Sequence, residues 1–350
     1  MSKSLAEKIL SKPFHDECQR IFYRHNREAY GKRGREPRNC SYKTTDEREK
    51  VILHAFADLH QLGFHLPNPR SLREKHIVAL ATHWAKKGLA ARTLHTTFSM
   101  LRVFSRWIDK AGLVRDIECY FPDPQVIKRS TVATENRSWT AHGIDPLPVI
   151  ERARGIDEEV ALQLLLQHAF GLRVKESLEI RPAWSLDSDG RTLEVFHGTK
   201  GKRPRLVAVD TEQRREAIRW AQEFAARRGT SRIRGRKRTW KQAQRRFYKV
   251  MEKLGITKKD LGVTAHGLRH GTAQGEYRRV TRLPSPIEGG ALGQIDQKTH
   301  QKAAIHVARI LGHGRSAVTT AYYGSYGHAL RRTKQTVTGP DADATTDPDE

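Results

Sequence analysis

Apolar positions repeat at intervals of three and four residues through the first third of the chain. In the clearest stretch, AARTLHTTFSMLRVFSRWIDKAG, the apolar stripe consists of Leu94, Phe98, Leu101, Phe104 and Ile108. This spacing places the stripe on one face of a helix, and Gly112 supplies a stop. The segment SLREKHIVALATHWAKKG has the same pattern and ends at Gly88. Because each helix must bury its apolar face, the pattern predicts a small helical bundle over residues 46–112.

The helical pattern is interrupted and then resumes. Residues 113–142 lose periodicity and include Pro122 and Pro124, so they are interpreted as a loop that runs into a linker at 131–142. Helices are predicted again from about residue 143, where VALQLLLQHAF is the most apolar segment. One region has strand character, since TLEVF (192–196) and RLVAV (205–209) flank the basic turn HGTKGKRP. The expected fold is mainly α with a small β-sheet.

The charge balance indicates that this helical protein has a polyanionic partner. Lys and Arg number 64 against 39 Asp and Glu, a formal net charge of +25. Basic side chains release counterions when they neutralise phosphates, which explains this balance better than a solubilising surface does. Composition alone does not separate DNA from RNA.

The two termini have opposite composition. Residues 1–45 are polar and basic, and they are interpreted either as an arm that orders on DNA or as a flexible leader. The last stretch, GPDADATTDPDE, reverses the charge sign, so residues 336–350 are predicted to be a disordered acidic tail.

Cysteine spacing and hydropathy indicate in which kind of compartment the protein is expected. The three cysteines, Cys18, Cys40 and Cys119, are far apart and form no CxxC pair, which argues against a disulfide framework and a cysteine-built zinc site. No apolar run reaches signal-peptide length or the roughly 18 residues that span a membrane. We expect a reduced, soluble, intracellular protein without a membrane partner.

The candidate chemistry lies in the second half of the chain. In chain order the residues are Arg173 in GLRVKE, Lys200 in the basic turn, His266 and Arg269 in HGLRH, His313 in LGH, and Tyr322. Cutting a phosphodiester without a metal requires a nucleophile, a clamp for the charged oxygens and a proton for the departing oxygen. Tyrosine can attack, the planar fork of arginine can hold two oxygens, and lysine or histidine can deliver a proton.

The HxxR pattern on its own is weak, because it occurs three times. The pairs begin at His266, His306 and His328. Only the first is followed directly by a second histidine, His270, and lies upstream of LGH with a tyrosine nine residues on. We therefore select the first pair and interpret the other two as solvated helix faces.

This ordered series resembles the tyrosine recombinase (phage integrase) family. Residues 46–130 look like its helical core-binding domain, and residues 143–335 look like its mixed α/β catalytic domain. The resemblance implies that Tyr322 attacks the scissile phosphate, giving a 3′-phosphotyrosine and a free 5′-hydroxyl. It also implies transition-state stabilisation by Arg173, His266, Arg269 and His313, with Lys200 as general acid. No metal and no nucleotide cofactor is implied.

The resemblance also decides between neighbouring residues. The nine-residue spacing from His313 selects Tyr322, and Tyr323, about 100° away on a helix, is left to packing or hydrogen bonding. The family's lysine follows the first strand closely, which favours Lys200 and leaves Lys202 as a DNA contact. Glu176 and His270 are assigned supporting roles, with Glu176 orienting an arginine or histidine.

Further DNA contacts are expected on two basic surfaces. The first consists of Arg92, Arg102 and Arg106 on the most regular helix, and the second is the run RIRGRKR, with Arg232, Arg234, Arg236, Lys237 and Arg238. For both surfaces, simple solvation is the alternative. By resemblance, the partners are double-stranded DNA and three further copies, in a homotetramer on two duplexes. Residues 327–338 would pass between neighbours.

One departure from the family concerns spacing. Between Arg269 and His313 lie 43 residues, roughly twice the family's usual number. The excess is assigned to an insertion at about 280–302, VTRLPSPIEGGALGQIDQKTHQ, which is interpreted as a loop that contacts DNA or a neighbouring subunit, or as an inert excursion.

The resulting hypothesis is a site-specific recombinase of a mobile element, acting in integration or excision. We expect it in the cytoplasm of a bacterium, associated with the nucleoid, with accessory DNA-bending or directionality factors as further partners. Two rivals stay open at this point: a type IB topoisomerase, which shares the chemistry, and a non-catalytic DNA-binding protein of the same fold.

Overall fold

The computed structural model describes residues 8–29, 38–199, 203–291 and 293–326, and the chain divides into two units at the bond between Ser130 and Thr131. Lys200, Lys202 and the segments 327–338 and 336–350 lie outside the described residues. In the described part of the chain, no helix is long and apolar enough to cross a bilayer.

The N-terminal unit is a helical bundle, as its periodicity predicts. Its helices are α1 (Lys12–His25), α2 (Tyr42–Gln61), α3 (Glu74–Lys86), α4 (Ala91–Trp107) and the short α5 (Pro124–Ile127). The stripe predicted on α4 is buried against α2, where the rings of Phe56 and Phe104 meet edge to face at 5.5 Å between centroids. A two-residue antiparallel pair, β1 (Glu28–Ala29) with β2 (Arg38–Asn39), adds a strand contact that the sequence pattern does not indicate.

The interpretation of residues 1–45 as an arm is wrong for α1. Phe14, Cys18, Ile21 and Phe22 are buried in the core of the bundle. The Phe14 ring packs edge to face on Phe56 at 5.0 Å between centroids. The helical spacing of these four residues is present in the sequence, but the surrounding basic and polar residues obscure it. This segment is therefore part of the N-terminal unit's core.

The C-terminal unit consists of helices and one two-stranded sheet. Its helices are α6 (Pro146–Ile156), α7 (Glu158–Phe170), α8 (Val174–Glu179), α9 (Pro182–Ser185), α10 (Glu212–Arg227), α11 (Trp240–Lys253), α12 (His266–Thr281), α13 (Gln297–Leu311) and α14 (Thr320–Tyr323). Strands β3 (Thr192–Val195) and β4 (Arg205–Ala208) pair antiparallel, with Thr192 opposite Ala208. The expectation of a mainly α fold with a small sheet is confirmed.

Helix α7 is apolar on nearly all sides because it lies at the centre of the unit. Ten of its thirteen residues are buried, and α6, α10, α12 and α8 pack around it. Asp157 begins this helix by accepting hydrogen bonds from the backbone N–H groups of Glu159 and Val160. Gly171 ends it in the left-handed conformation, at φ 60°. The end of α7 is thereby fixed beside α12.

The linker predicted at 131–142 is a packed part of the C-terminal unit. The indole of Trp139 is buried, and its Nε1 donates to the carbonyl oxygen of Thr264 at 2.8 Å. Ser138 is buried as well. The loss of periodicity therefore predicted irregular backbone correctly. The interpretation as a linker was wrong, because one large aromatic residue anchors the segment in the core.

The insertion predicted at about 280–302 is shorter than expected. Helix α12 continues to Thr281, and α13 begins at Gln297, where the Asp296 side chain accepts from the backbone N–H of Thr299. Between the two helices, the described residues 282–291 and 293–296 contain one short 3-10 helix, Pro286–Glu288. The last six residues of the predicted insertion form the first turns of α13.

Phe22 provides a direct test of whether α1 belongs to the core. Its ring is buried against Phe104 and Trp107 at 6.4 and 6.3 Å between centroids, whereas the adjacent Tyr23 is exposed. We expect Phe22→Ala to lower the free energy of unfolding by about 3–5 kcal/mol in urea titrations of the full chain. Tyr23→Ala is the matched control, with an expected change within about 0.5 kcal/mol. Equal, small effects would mean that α1 is dispensable.

Candidate active site

Arg173 is positioned at the junction between α7 and α8. Its backbone N–H donates to Glu176 Oε2 at 2.8 Å, and its Nη1 donates to Glu176 Oε1 at 2.6 Å. The side chain is partly exposed, at 23%, whereas that of Glu176 is fully buried. The carboxylate therefore caps α8 and holds one edge of the guanidinium, while the rest of the fork faces outward.

Glu176 is shared with a second arginine, Arg205, which is not among the predicted site residues. Arg205, at the start of β4, donates to both oxygens of Glu176 at 2.9 and 2.7 Å. Burial raises the pKa of Glu176, but the hydrogen bond and charge of Arg205 and the charges of Arg173 and Arg269 outweigh it and lower the pKa to about 2. Glu176 is thus a permanent carboxylate. Arg205 was detectable, because the alternation of RLVAV places it on the same inward face as Val207 and Val209.

Arg269 lies on α12 with no exposed surface. Its Nη1 donates to the carbonyl oxygen of Gly171, and its Nη2 donates to that of Leu311 at 2.5 Å and lies 3.4 Å from His313 Nε2. Its Nε donates to the phenolic oxygen of Tyr322 at 3.3 Å. Burial first, and then the charge of Arg173, lower the pKa of Arg269 to about 10, so the group is a cation at neutral pH.

His313 reaches the site because a glycine ends α13. Gly312 has a left-handed backbone, at φ 65°, and the following N–H of His313 donates to the carbonyl of Ala308 at 2.8 Å. A Cβ at Gly312 would lie 3.0 Å from Cδ of Arg205. The LGH sequence therefore combines a helix stop, a close approach to Arg205 and a side chain turned toward Arg269.

Tyr322 lies among three imidazole rings. Its side chain is 7% exposed, and its ring centroid is 5.7 Å from that of His266, 4.8 Å from His270 and 5.6 Å from His313. Tyr323, the adjacent phenol, is fully buried and hydrogen-bonds to Thr319 at 3.0 Å. The two tyrosines therefore face different surroundings, and Tyr322 is the one that contacts an arginine.

The two histidines of HGLRH are neutral at physiological pH. His266 is exposed at the first position of α12; partial desolvation, followed by the charges of Arg269, Arg173 and Arg137, lowers its pKa to about 4. His270 is 5% exposed, and burial followed by the charges of His266 and Arg137 lowers its pKa to about 3. A neutral imidazole can accept a proton or donate an N–H, so both properties are available beside the phenol.

Lys200 lies outside the described residues, but the turn that leads to it is fixed. Gly198 has φ 80°, and a Cβ there would lie 2.6 Å from the carbonyl oxygen of Lys175. The turn thus approaches the backbone of α8 directly, next to Glu176, and only glycine allows that approach. Of the six residues predicted to carry the chemistry, the structure brings five to one site and is silent on the sixth.

Within the described residues, no three side chains among His, Cys, Asp and Glu are grouped as a metal site.

Comparisons with known proteins agree on the family. A model described as "Integrase" matches residues 133–275, and one described as "Phage integrase, N-terminal" matches residues 35–114. The first match includes Arg173, Lys200, His266 and Arg269, and it stops short of Tyr322. The chain belongs to the tyrosine recombinase (phage integrase) family.

Solved structures of this family share the fold. A lambda integrase dimer bound to a COC′ core site has a TM-score of 0.56 at 16% identity, with 95% of this chain and 98% of that chain covered. A lambda integrase tetramer bound to a Holliday junction has a TM-score of 0.55 at 17% identity, with 93% and 82% covered. The Tn1549 transposon integrase in complex with transposon right end DNA has a TM-score of 0.51 at 14% identity, with 92% and 99% covered. Among curated proteins, no sequence matches this recombinase.

The basic run RIRGRKR is largely engaged inside the recombinase's C-terminal unit. Arg234 Nε donates to Glu179 at 2.7 Å, Arg232 lies 3.7 Å from the same carboxylate, and Arg238 pairs with the buried Glu159. Their contacts do not support the phosphate role predicted for these three. Arg234 and Arg232 neutralise the partly buried Glu179, and Arg238, together with Arg228 at 3.7 Å, neutralises the buried Glu159. Arg236 and Lys237 are exposed.

The arginines of α4 also differ from one another. Arg102 donates to the backbone carbonyls of Val114 and Arg115 at 3.1 and 2.7 Å and lies 3.3 Å from Asp116, so it holds the loop after α4. Its predicted role as a phosphate contact is therefore not supported. Arg92 and Arg106 are exposed on the same helix.

The buried His270 links stability to pH. Because its pKa in the folded state, about 3, lies below the unfolded value near 6.5, the unfolded state binds the proton more readily and stability falls as pH decreases through 6.5. Between about pH 7.5 and about pH 5, we expect His270→Gln to lose about 1–2 kcal/mol less unfolding free energy than the wild type. Urea titrations at the two pH values measure this difference. Parallel losses in the two proteins would contradict a buried, neutral His270.

Proposed function

We propose that this recombinase cuts and rejoins DNA through a 3′-phosphotyrosine formed on Tyr322. The observation that carries the proposal is the hydrogen bond from Arg269 Nε to the Tyr322 oxygen, inside a ring of three imidazoles. A phenol placed beside a buried cation can attack a phosphorus atom whose charged oxygens the same cation attracts. Tyr323 has no comparable surroundings.

Each step of the reaction has a candidate group. The Tyr322 oxygen forms a bond to phosphorus as the bond to the 5′-oxygen breaks, and neutral His266 can take the phenolic proton. Arg173, Arg269 and His313 stabilise the charge on the non-bridging oxygens. Lys200 protonates the departing 5′-oxygen. A 5′-hydroxyl from another strand then attacks the phosphotyrosine, so the phosphodiester is restored without an external energy source.

The same proposal includes the assembly and the biological role. The chain's net charge of +25 suits double-stranded DNA. The similar lambda integrase structures, a dimer on a core site and a tetramer on a Holliday junction, support a tetramer on two duplexes. The match to a phage integrase model and the likeness to a transposon integrase support a role in the integration or excision of a mobile element.

Substitution of the two adjacent tyrosines tests the nucleophile. We expect Tyr322→Phe to abolish the covalent DNA–protein adduct while leaving DNA affinity nearly unchanged, because only the attacking oxygen is removed. The measurement is adduct formation on a nicked half-site that traps the intermediate, resolved by denaturing gel electrophoresis. Tyr323→Phe is the control and should still form adducts. The opposite pattern would transfer the nucleophile to Tyr323.

A substrate with a sulfur leaving group tests Lys200 separately. We expect Lys200→Ala to slow adduct formation by about 100-fold or more, the usual contribution of a general acid. A 5′-bridging phosphorothiolate at the scissile position should restore the rate, because a thiolate departs without receiving a proton. Lys202→Ala is the matched control, with a small loss on both substrates. If sulfur rescues Lys202→Ala instead, the two lysines must exchange roles.

A further inference from the structure

The first residues of the C-terminal unit cross the segment that bears Tyr322. We call residues 131–139 the leading segment. At one end, the N–H of Ala133 donates to the carbonyl oxygen of Thr320, the first residue of α14, at 3.0 Å. At the other end, Trp139 is anchored in the core, and the absence of a side chain at Gly267 lets the backbone of Arg137 approach α12, where a Cβ would lie 2.6 Å from its carbonyl oxygen.

Between these anchors, one buried glutamine joins the leading segment to the nucleophile. Gln274, on α12, is 1% exposed, and its Nε2 donates both to Asn136 Oδ1 at 2.9 Å and to the carbonyl oxygen of Tyr322 at 3.1 Å. Asn136 Oδ1 also accepts from the N–H of Ser138 at 3.1 Å and from its hydroxyl at 2.8 Å. In each of its three contacts, to Gln274 and twice to Ser138, Asn136 Oδ1 is the acceptor.

Helix α14 needs such support because it is very short. It has four residues, Thr320–Tyr323, and follows directly on the 3-10 helix Ser316–Thr319. So short a helical segment gains few hydrogen bonds to offset its ordering cost. The chain then turns at Gly324, with φ 83°. The position of the phenol is therefore set by contacts from outside the helix. Gln274 holds the backbone of the nucleophile itself, and the ring of His270 packs against the ring of Tyr322 at 4.8 Å between centroids.

We propose that Gln274 and Asn136 are positioning residues for Tyr322, which fix the nucleophile's backbone to the leading segment so that its oxygen stays aligned with Arg269. The inference rests on the proposed function, since it specifies how the attacking group is held. Neither side chain would touch the DNA or the reacting atoms. A displacement of about 1 Å at the nucleophile can reduce the rate on the order of 100-fold, so a contact to its backbone suffices for a large effect.

Removal of the two hydrogen bonds of Gln274 tests the proposal. We expect Gln274→Met, which keeps length and apolar volume, to slow single-turnover adduct formation at saturating DNA on the order of 10- to 100-fold. DNA affinity should change little. The 5′-bridging phosphorothiolate should not restore the rate, because attack is impaired and not departure of the leaving group. That response separates this variant from Lys200→Ala.

A matched control separates positioning from general stability. Gln167, on α7, is also 1% exposed and donates two hydrogen bonds, to the carbonyl of Gln163 at 3.1 Å and to Ser177 Oγ at 3.2 Å. It makes no hydrogen bond to α14. We expect Gln167→Met to lower the melting temperature about as much as Gln274→Met while keeping the adduct rate near that of the wild type. Equal rate losses in the two variants would overturn the proposal.

Asn136 gives a second, independent arm. Because its Oδ1 only accepts, Asn136→Asp retains the acceptor and should keep most of the adduct rate at saturating DNA, whereas Asn136→Ala should follow Gln274→Met. This pair decides the question even if Gln274→Met fails to fold. Wild-type rates in Asn136→Ala, together with an inactive Tyr322→Phe, would refute the positioning role and leave the proposed function intact. Adducts formed by Tyr322→Phe would refute the nucleophile assignment instead.

Discussion

The burial of a permanent positive charge at Arg269 constrains the arrangement of the whole C-terminal unit. A guanidinium without exposed surface is tolerated only when its N–H groups have acceptors. Two of those acceptors, the carbonyls of Gly171 and Leu311, belong to the ends of α7 and α13. The last carbonyls of a helix lack partners within it and carry the negative end of its dipole, so they suit a buried cation. Satisfying Arg269 thus brings two helix ends together, and Tyr322 contacts the remaining Nε.

Glu176 extends this arrangement outward. The carboxylate has no exposed surface and lies between Arg205, which is also buried, and Arg173, which is partly exposed. The two guanidinium groups would repel one another if they lay side by side alone. The carboxylate between them attracts both and fixes the orientation of both groups. The contact with Glu176 already orients the guanidinium of Arg173, including its exposed part. Arg205 makes the second contact from β4, which explains why a sheet of only two strands adjoins the site.

The sequence predicted the members of the site better than the contacts that hold them. Residue type and order were enough to select Arg173, Arg269, His313 and Tyr322, which the structure brings to one site, whereas their catalytic roles are part of the proposed function. The contact partners of these side chains were not predicted, because they are far apart in the sequence. Arg238, for example, belongs to a basic run that suggested phosphate binding, but it forms an internal ion pair with Glu159.

The pattern of hydrophobic positions also failed to predict that two further segments, α1 and the leading segment, pack into a core. Helix α1 carries four buried residues within a strongly basic segment, so composition concealed its periodicity. The leading segment has no periodicity at all, yet Trp139 fixes it in the core through one hydrogen bond to Thr264 and a close approach at Gly267. Anchors of this kind depend on a single side chain meeting a distant backbone, and no repeat along the chain reveals them.

Part of the long segment between Arg269 and His313 forms the surroundings of Tyr323. His300, in the first turns of α13, hydrogen-bonds through Nδ1 to the hydroxyl of Tyr277 at 2.7 Å, and Tyr277 packs on Tyr323 at 5.0 Å between ring centroids. Tyr277 also lies 3.4 Å from the hydroxyl of Tyr326. The α14 segment is therefore held by aromatic residues through Tyr323 and Tyr326, and by Gln274 and the leading segment through its backbone. A nucleophile on so short a helical segment keeps a defined direction when its neighbours in the chain are immobilised in this way. His300, at the end of the predicted insertion and in the first turns of α13, therefore supports the α14 segment through Tyr277 and Tyr323.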